Sequence, residues 1–318
     1  MVEEHRTSPL KRSNTLRKVS TKPPNWGSGA NLGGMPRLAG HLVDGISVGG
    51  VETCIDFPEL KLCFDLGRCP SEAVQRPTVL FTHAHMDHMG GVAWHASTRE
   101  LRNMPPPNYV VPRENAEAFA ELFEVWRKLD RGSMRHTLTP LGIGEELELP
   151  CTLFARPFRS PHRVPCQGYG LWKRHRKLKV GYLGRPAAEL RELGQRLGDE
   201  LYDWSEVPEI AFTGDTLSEV IDREEVVRKA RLLVMEVTFL DDRVSVEKSR
   251  SKGHIHLDEV AERADLFENE ALLFTHFSSR YQRHEIERAL DRRLPRHLRE
   301  RVHALLPRGS QSYEVDER

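Results

Sequence analysis

The sequence predicts an α/β fold built as one domain. Short apolar runs rich in β-branched residues, such as Thr78–Phe81 and Leu232–Phe239, are typical of buried strands. The segments Val92–Leu101 and Glu114–Leu129 are typical of helices, and such segments follow the strands along the chain. Because no linker or change in composition interrupts residues 40 to 306, we expect a single domain.

Composition limits the classes of function. Lys plus Arg and Asp plus Glu each number 47 among 318 residues, so no overall charge attracts a polyanion, and any contact with nucleic acid must come from a local patch. No apolar run reaches the ~18 residues of a membrane helix, and the N-terminus lacks an apolar signal core. We therefore expect a protein without a membrane partner, in the cytoplasm or, if the chain is eukaryotic, the nucleus.

The five cysteines also indicate a reducing compartment. They are odd in number and form no C-x-x-C pair, which favours free thiols located mostly in strands. The alternative for Cys69 and Cys166 is a role as stray metal ligands.

The two ends of the chain are predicted to be tails. Residues 1–38 are polar, with scattered Lys and Arg and no strand or helix period, which predicts a disordered polar and basic segment. Its basic pairs, Lys11-Arg12 and Arg17-Lys18, are either solvated or in contact with RNA. The folded domain is predicted over 39–308, and a polar C-terminal tail over 309–318.

A histidine-rich loop follows the strand Thr78–Phe81 and carries His83, His85, Asp87 and His88. Imidazole nitrogen and carboxylate oxygen suit zinc, and also manganese or iron. His83 and His85 can reach one ion, whereas the next two ligands point elsewhere and indicate a second ion. The alternative is a polar loop that is merely rich in histidine.

Further acidic residues lie where strands end or inside apolar runs. Asp65 precedes the histidine loop and either hydrogen-bonds it, orienting its imidazoles, or is a plain turn residue. Asp215 ends a strand that begins at Glu209, where its carboxylate can bridge two cations. Glu236 lies in a strongly apolar strand, so it must have a partner. The other histidines are predicted at the surface: His95, His136, His284, His297 and His303.

The order His-x-His-x-Asp-His after a buried strand resembles the metallo-β-lactamase superfamily from about residue 40 onward. The resemblance implies an αββα sandwich, with two mixed sheets face to face and helices outside. It also implies a third histidine ligand at His162, in a loop before Gly168-Tyr169. The implied set binds two Zn²⁺ per chain, with Mn²⁺ and Fe²⁺ as alternatives: His83, His85 and His162 for one ion, Asp87, His88 and His276 for the other, and Asp215 between them.

Three segments are similar to the ribonuclease Z family, which trims the 3′ trailer from precursor tRNA, and most to its short plant form. They are Phe239-Leu240-Asp241-Asp242 after Met235-Glu236, the Gly-His-Ile-His run at 253–256, and Thr-His-Phe-Ser-Ser-Arg-Tyr at 275–281. The resemblance implies a homodimeric endoribonuclease that leaves a 3′-hydroxyl on the tRNA and a 5′-phosphate on the trailer. A metal-activated hydroxide would attack phosphorus, with Asp87 as its proton acceptor. His254, oriented by Glu236, would protonate the leaving group.

Two departures from the family pattern concern RNA contacts. His256 stands where bacterial members usually have Thr, and their long tRNA-gripping arm is not visible. A shorter basic arm is predicted over about 171–205. Its candidate phosphate contacts are Lys173, Arg174, Arg176, Lys177 and Lys179, with a solvated charge run as the alternative. Arg280 is a further candidate, or else part of a structural ion pair.

Two other functions fit part of the pattern. Another dinuclear hydrolase, acting on small cyclic nucleotides or on thioesters, would use the same ions, although a thioesterase would need neither the arm nor Glu236 and His254. A silent RNA-binding or scaffold subunit would have lost ligands, and this chain keeps all seven.

Overall fold

The computed structural model describes residues 37–307, so the predicted tail at 1–36 and the C-terminal tail from 308 onward lie outside the described residues. The strands are β1 (Arg37–Leu38), β2 (His41–Leu42), β3 (Asp44–Gly49), β4 (Glu52–Phe57), β5 (Leu62–Phe64), β6 (Thr78–Leu80), β7 (Asn108–Pro112), β8 (Thr137–Leu141), β9 (Leu147–Leu149), β10 (Leu153–Arg159), β11 (Gln167–Leu178), β12 (Tyr202–Phe212), β13 (Leu232–Glu236), β14 (Ala271–Thr275), β15 (Phe277–Ser278) and β16 (Val302–Ala304). The helices are α1 (Met86–Met89), α2 (Val92–Leu101), α3 (Ala116–Asp130), α4 (Ala187–Leu197), α5 (Glu219–Arg223), α6 (Glu225–Lys229), α7 (Val246–Lys252), α8 (Leu257–Glu262), α9 (Arg283–Arg293) and α10 (Arg296–Arg299).

Two seven-stranded sheets form the centre of the described fold. The first has the order β15-β3-β4-β5-β6-β7-β8, and the second has the order β16-β14-β13-β12-β11-β10-β9. Pairing is parallel from β5 to β8 and from β12 to β16, and antiparallel from β3 to β5 and from β9 to β12. The predicted α/β class with two mixed sheets is confirmed.

The sheets are held together by apolar side chains on both of their faces. Between them, the ring of Phe64 on β5 stacks on Phe212 of β12 with centroids 4.7 Å apart. On the outer face of the first sheet, α3 buries Phe119 and Phe123; α8 and α9 cover the second sheet. Parallel strands need cover on both faces, and every residue of β6, β13 and β14 is buried.

Several element boundaries differ from the prediction. The hairpin of β1 and β2 buries Leu38 in the core, so the described fold begins two residues before the predicted domain start at 39. Strand β12 begins at Tyr202 rather than Glu209, because it pairs with the basic part of β11. Strand β13 ends at Glu236, three residues earlier than predicted, and the short helices α5, α6 and α7 were not foreseen.

The prediction that His95 lies at the surface is wrong. The His95 ring on α2 is fully buried, with Nδ1 2.8 Å from the Tyr109 hydroxyl and Nε2 3.2 Å from the Ala73 carbonyl oxygen. Of the other four histidines, His136 is half-buried, and His284, His297 and His303 are exposed. Within residues 37–307, no helix is long and apolar enough to cross a membrane.

Candidate metal centre

Loops that follow strands of both sheets bring the seven predicted metal ligands together. The carboxyl ends of neighbouring parallel strands lie at the same edge of a sheet, so loops after β6, β12 and β14 converge. The ligands fall into two groups whose donor atoms lie within 4.8 Å of one another: His83, His85, His162 and Asp215 in one, and Asp87, His88 and His276 in the other.

The first group has the dimensions of a site for one divalent ion. His85 Nδ1 lies 2.9 Å from His83 Nε2 and 3.4 Å from His162 Nε2. Asp215 Oδ2 lies 3.7 Å from His83 Nε2 and 3.9 Å from His162 Nε2. Ligand atoms around a tetrahedral zinc ion with bonds of ~2.0–2.1 Å are about 3.3 Å apart, so these four atoms fit one ion.

The second group is equally tight. His276 Nε2 lies 3.3 Å from His88 Nε2 and 3.4 Å from Asp87 Oδ2. Asp215 Oδ1 lies 3.3 Å from His88 Nε2 and 3.4 Å from His276 Nε2. Asp215 therefore presents one oxygen to each group, as expected of a bridging carboxylate.

The Asp215 carboxylate also provides a test of whether a cation fits. The residue is 2% exposed, and its Oδ1 has no hydrogen-bond partner among residues 37–307. A buried carboxylate oxygen without a donor is costly, and a shared divalent cation would satisfy it. The donor set and this orphaned oxygen thus fit a divalent metal centre.

The protonation states of the histidines in the first group agree with metal binding. Burial lowers the pKa of His83 to about 2 and also lowers the pKa of His85 and His162, so these rings are neutral near pH 7. Burial alone would raise the pKa of Asp215. His276 and His88 outweigh that effect and hold the pKa well below its usual value.

Asp65 supports the histidine loop, as predicted. Its Oδ1 accepts a hydrogen bond from the Thr82 backbone N–H at 2.8 Å, and its Oδ2 accepts from the Thr82 hydroxyl at 2.9 Å. Oδ2 also lies 2.7 Å from His88 Nδ1, while Thr82 Oγ1 lies 2.9 Å from His83 Nδ1. Asp65 thus orients two metal-facing imidazoles, one directly and one through Thr82.

The partners that the buried Glu236 was expected to need are present. Oε1 accepts the Thr216 N–H and lies 3.0 Å from His254 Nδ1; Oε2 accepts the Thr238 N–H at 3.1 Å and the Thr238 hydroxyl at 2.6 Å. Burial by itself lowers the pKa of His254, but the Glu236 carboxylate outweighs burial and raises that pKa to about 9. The His254 side chain is 17% exposed, and its Nδ1 lies 4.0 Å from Asp215 Oδ2.

Two glycines permit the close approach of these loops. Gly214 has a positive φ of 60°, and a Cβ there would lie 2.7 Å from the Thr82 side chain. Gly253 has φ 84°, and a Cβ there would lie 2.7 Å from His162 Nδ1, the nitrogen that is 2.8 Å from the Gly253 carbonyl oxygen. An L-residue at either position would push a metal-facing imidazole or its support out of place.

Neither cysteine that the sequence left open as a ligand joins the metal groups formed by the described residues. Cys166 contacts the centre from behind: its Sγ lies 3.7 Å from His83 Nδ1 and donates to the Asp215 carbonyl oxygen at 3.3 Å. Cys69 is buried in the core with α2 and α3.

The basic segment lies on the outer part of β11, where β12 pairs with it. Arg174 is engaged within the arm: Nη2 donates to Glu146 at 2.7 Å, Nε donates to Glu206 at 2.8 Å, and the guanidinium lies 3.8 Å from the centre of the Phe154 ring. Arg176 lies over the Tyr202 ring at 4.9 Å. The arginine face of β11 therefore stiffens the arm.

The lysine face of β11 is different. Successive side chains of a strand alternate, so Lys173, His175 and Lys177 share the opposite face. Lys173 and Lys177 form no ion pair with any residue in 37–307, although Asp203 is the cross-strand neighbour of Lys177. Lys179 follows β11, and its backbone N–H donates to the Leu201 carbonyl. Arg280 lies 5.6 Å over the Phe239 ring, and its Nε donates to Ser278 Oγ.

Sequence reasoning missed three residues of the centre and the arm. Thr82 and Thr238 stand next to metal-facing imidazoles, and their only sequence signal is position: Thr82 directly precedes His83, and Thr238 is two residues after Glu236. Trp204, half exposed at 49%, lies opposite Arg176 on the arm, within the segment that was not predicted as strand.

Comparison with known proteins shows to which family the chain belongs. The β-lactamase superfamily domain matches residues 66–277. The chain is 44% identical to tRNase Z TRZ1 of Arabidopsis thaliana over 271 residues, which cover 85% of this chain and 96% of the relative. It is 39% identical to tRNase Z TRZ2, chloroplastic, of the same plant over 80% of this chain and 72% of the relative. It is also 46% identical to the Nuclear ribonuclease Z of Triticum aestivum over 50% of this chain and 91% of the relative.

Solved structures agree on the fold. Human tRNase Z, short form, superposes with a TM-score of 0.53 at 18% identity, covering 75% of this chain and 93% of that chain. The metallo-β-lactamase fold protein YhfI from Bacillus subtilis superposes with a TM-score of 0.55 at 13% identity, covering 81% and 92%. At these identities the solved structures establish only the fold. The relatives from Arabidopsis thaliana, at 44% and 39% identity, establish the family. The chain belongs to the tRNase Z family of the metallo-β-lactamase superfamily.

Proposed function

We propose that this chain is a metal-dependent endoribonuclease that removes the 3′ trailer from precursor tRNA. The observation that carries the proposal is one centre that holds seven convergent ligands beside the paired His254 and Glu236. It occurs in a chain that spans 96% of a relative named tRNase Z. The products are a tRNA with a 3′-hydroxyl and a trailer with a 5′-phosphate.

The metal is Zn²⁺ and each chain binds two ions, with Mn²⁺ or Fe²⁺ as alternatives for the same donors. His83, His85 and His162 would hold one ion, Asp87, His88 and His276 would hold the other, and Asp215 would serve both. When bound, two such ions activate water and neutralise charge on the phosphoryl oxygens.

The remaining chemistry belongs to side chains of the protein. Asp87 Oδ2 already accepts the Gly50 N–H at 2.9 Å, which leaves Oδ1 to accept a proton from the attacking water. A ribose 3′ oxygen is a poor leaving group near pH 7 and needs a proton as the bond breaks. His254 gives it from Nε2, because its Nδ1 is engaged by Glu236.

Precursor tRNA contacts the lysine face of the arm. Lys173, Lys177 and Lys179 meet phosphates, and Arg176 meets one from the opposite face of β11, whereas Arg174 acts through the stiffness of the arm. Arg280, four residues after His276, meets a phosphate near the reacting bond. Such contacts release counterions and make binding depend on salt.

The active form is a homodimer. Trp94 and Leu101 are seven residues apart on one face of α2 and are 66% and 83% exposed; Met86 on α1 is 75% exposed. A neighbouring set of large exposed apolar side chains is a candidate interface. Light scattering on the full chain should give twice the chain mass, and Trp94→Glu should reduce it to one chain.

The compartment is the cytoplasm, or the nucleus in a eukaryote. One relative carries the word nuclear in its name, and another the word chloroplastic. Fractionation of cells that express the full chain would test this, and recovery in a chloroplast or mitochondrial fraction would contradict it.

One experiment tests the function. Pure protein is incubated with a precursor tRNA, and both product ends are mapped. A single cut at the 3′ end of the acceptor stem with the stated end groups is expected. Cleavage of bis(p-nitrophenyl) phosphate without cleavage of the precursor would instead favour a small-molecule phosphodiesterase.

Metal analysis tests the number of ions. Protein loaded with excess zinc and freed of unbound metal should contain two ions per chain by elemental analysis. A clean stoichiometry of one contradicts the dinuclear centre.

The arm has its own test. The double variant Lys173→Ala/Lys177→Ala should weaken precursor binding and lower the slope of log affinity against log salt by roughly 2. Its control is Lys61→Ala/Lys229→Ala, which removes two exposed lysines before β5 and β13, far from the strand ends that form the centre. If the slope of log affinity against log salt were the same in both double variants, the basic segment would be a solvated charge run.

A further inference from the structure

Two threonine hydroxyls each stand between a buried carboxylate and a metal-facing imidazole. Thr82 Oγ1 lies 2.9 Å from Asp65 Oδ2 and 2.9 Å from His83 Nδ1. Thr238 Oγ1 lies 2.6 Å from Glu236 Oε2 and 3.0 Å from His276 Nδ1. Thr82 is fully buried and Thr238 is 4% exposed.

The direction of these hydrogen bonds follows from the chemistry of the groups. A carboxylate only accepts, so each threonine must give its single hydroxyl proton to Asp65 or Glu236. Both carboxylates also accept backbone N–H groups, from Thr82 and from Thr216 and Thr238, so their oxygens act as acceptors throughout. Each hydroxyl oxygen can then only accept from the imidazole, whose Nδ1 must carry the proton.

With the proton on Nδ1, the opposite ring nitrogen, Nε2, is unprotonated and its lone pair is free to bind a metal ion. The Nε2 atoms of His83 and His276 lie in the first and second ligand groups, within 3.7 Å of Asp215. A histidine that binds metal through Nε2 needs its proton on Nδ1. The wrong tautomer would direct an N–H at the ion instead.

We infer that Thr82 and Thr238 are positioning residues that lock His83 and His276 in the Nδ1–H tautomer, one threonine for each metal ion. The inference rests on the proposed metal centre and deepens it. The β-branched threonine side chain restricts χ1, and at Thr82 the γ-methyl lies against Gly214, where an added Cβ would come within 2.8 Å of it. The hydroxyl direction is therefore set by packing as well as by the carboxylate.

The test replaces each hydroxyl with a methyl group of similar size. Thr238→Val should weaken the binding of one of the two Zn²⁺ ions about 10–100-fold in competition with a chromophoric chelator, and leave the other unchanged. Thr82→Val should weaken the other ion by a similar factor. Thr238→Ser and Thr82→Ser keep the hydroxyl and should restore affinity.

Thr213→Val is the matched control. Thr213 is also fully buried beside the centre, but its hydroxyl donates to the Gly214 carbonyl at 2.8 Å and hydrogen-bonds no imidazole of residues 37–307. This variant should bind both ions as the wild type does. A loss in Thr213→Val equal to that in Thr238→Val would mean a packing effect and would overturn the inference.

A spectroscopic readout separates tautomer from packing. In zinc-loaded wild-type protein labelled with ¹⁵N-histidine, NMR should show protonated Nδ1 on two rings bonded to threonine, and each valine variant should shift one of them. Wild-type metal affinity in both valine variants would contradict the inference alone. Failure of the wild-type chain to bind any divalent ion would contradict the proposed function itself.

Discussion

Asp65 and Glu236 do similar work in the two halves of the molecule. Each is a buried carboxylate at the end of a strand, Asp65 after β5 in the first sheet and Glu236 at the end of β13 in the second. Each contacts two imidazoles, one directly and one through a threonine hydroxyl. The same arrangement of acid, threonine and histidine therefore supports the centre from both sheets.

The difference lies in which imidazoles they hold. Both rings held by Asp65, His83 and His88, face the metal groups. Glu236 holds one metal-facing ring, His276, and the more exposed His254, which donates a proton in the proposed reaction. In the proposed centre, Asp65 would therefore serve metal binding only, whereas Glu236 would couple the second ion to the proton donor.

The largest effect is expected from His254→Ala. Without a proton for the leaving 3′ oxygen, turnover of precursor tRNA should fall roughly 10²–10⁴-fold, with metal content unchanged. The loss should be much smaller for bis(p-nitrophenyl) phosphate, whose leaving group departs without a proton. His284→Ala, which replaces an exposed ring on α9, is the control and should behave as wild type. Equal losses on both substrates would remove His254 from the role of acid.

Glu236→Gln should come next. The amide places a donor where Glu236 accepts from Thr238 or faces His254, so turnover of precursor tRNA should fall roughly 10–10²-fold, less than for His254→Ala. Because the acid is affected, excess zinc should restore turnover only in part. If excess zinc restored turnover fully, Glu236 would support metal binding alone, as Asp65 is expected to do.

Asp65→Asn should act on metal affinity. It disturbs His83 through Thr82 and His88 directly, so chelator competition should report roughly 10–100-fold weaker binding of both ions. Turnover should return to near the wild-type value at saturating zinc, since His254 keeps its partner. If Asp65→Asn contained two ions per chain and still failed to cleave precursor tRNA, Asp65 would not act through metal binding alone.

The smallest effect on activity is expected at His95, a buried ring without a carboxylate partner among the described residues. Burial, followed by the nearby Arg99, lowers its pKa to about 4. Below its unfolded pKa of ~6.5 the unfolded chain binds a proton that the folded chain does not, so stability falls as the pH drops from about 6.5 to about 4. The slope is about 1.4 kcal/mol per pH unit at most, or roughly 3 kcal/mol over the window.

His95→Gln removes this titration. Urea unfolding of variant and wild type at pH 7.5 and pH 5 should give a smaller loss of stability for the variant, with turnover at pH 7.5 unchanged. If both proteins lost the same free energy of unfolding between pH 7.5 and pH 5, His95 would be protonated in the folded state as well.

Local sequence was enough for the parts of the centre that are contiguous. His83 to His88 lie within six residues, on the loop after β6 and in α1, so their spacing alone indicates two ions. Asp65 and Glu236 were identified because an acid at a strand end or in an apolar run needs a partner. His162 and His276 depended on the family resemblance, since a lone histidine after a strand carries little information.

The arm illustrates what a charge run conceals. Arg174 and Lys173 look equivalent in the sequence, but strand alternation and the cross-strand Glu206 commit Arg174 to ion pairs. The prediction that His95 is exposed was wrong for a similar reason. A histidine between polar residues on a helix looks exposed until the strand that carries Tyr109 is placed beside it.

By itself, the sequence determined the α/β class, the metal loop, the acids that need partners and the family, because these depend on local pattern and residue chemistry. The tertiary structure decided which oxygen of Asp215 lies in which group, that Thr82 and Thr238 connect acids to imidazoles, and which face of β11 carries lysines that form no ion pair with residues 37–307. Each of these depends on atoms from different strands meeting within about 3–4 Å, the range over which hydrogen bonds and metal ligands act. Such contacts are set by sheet register and loop approach, which no single stretch of the chain encodes.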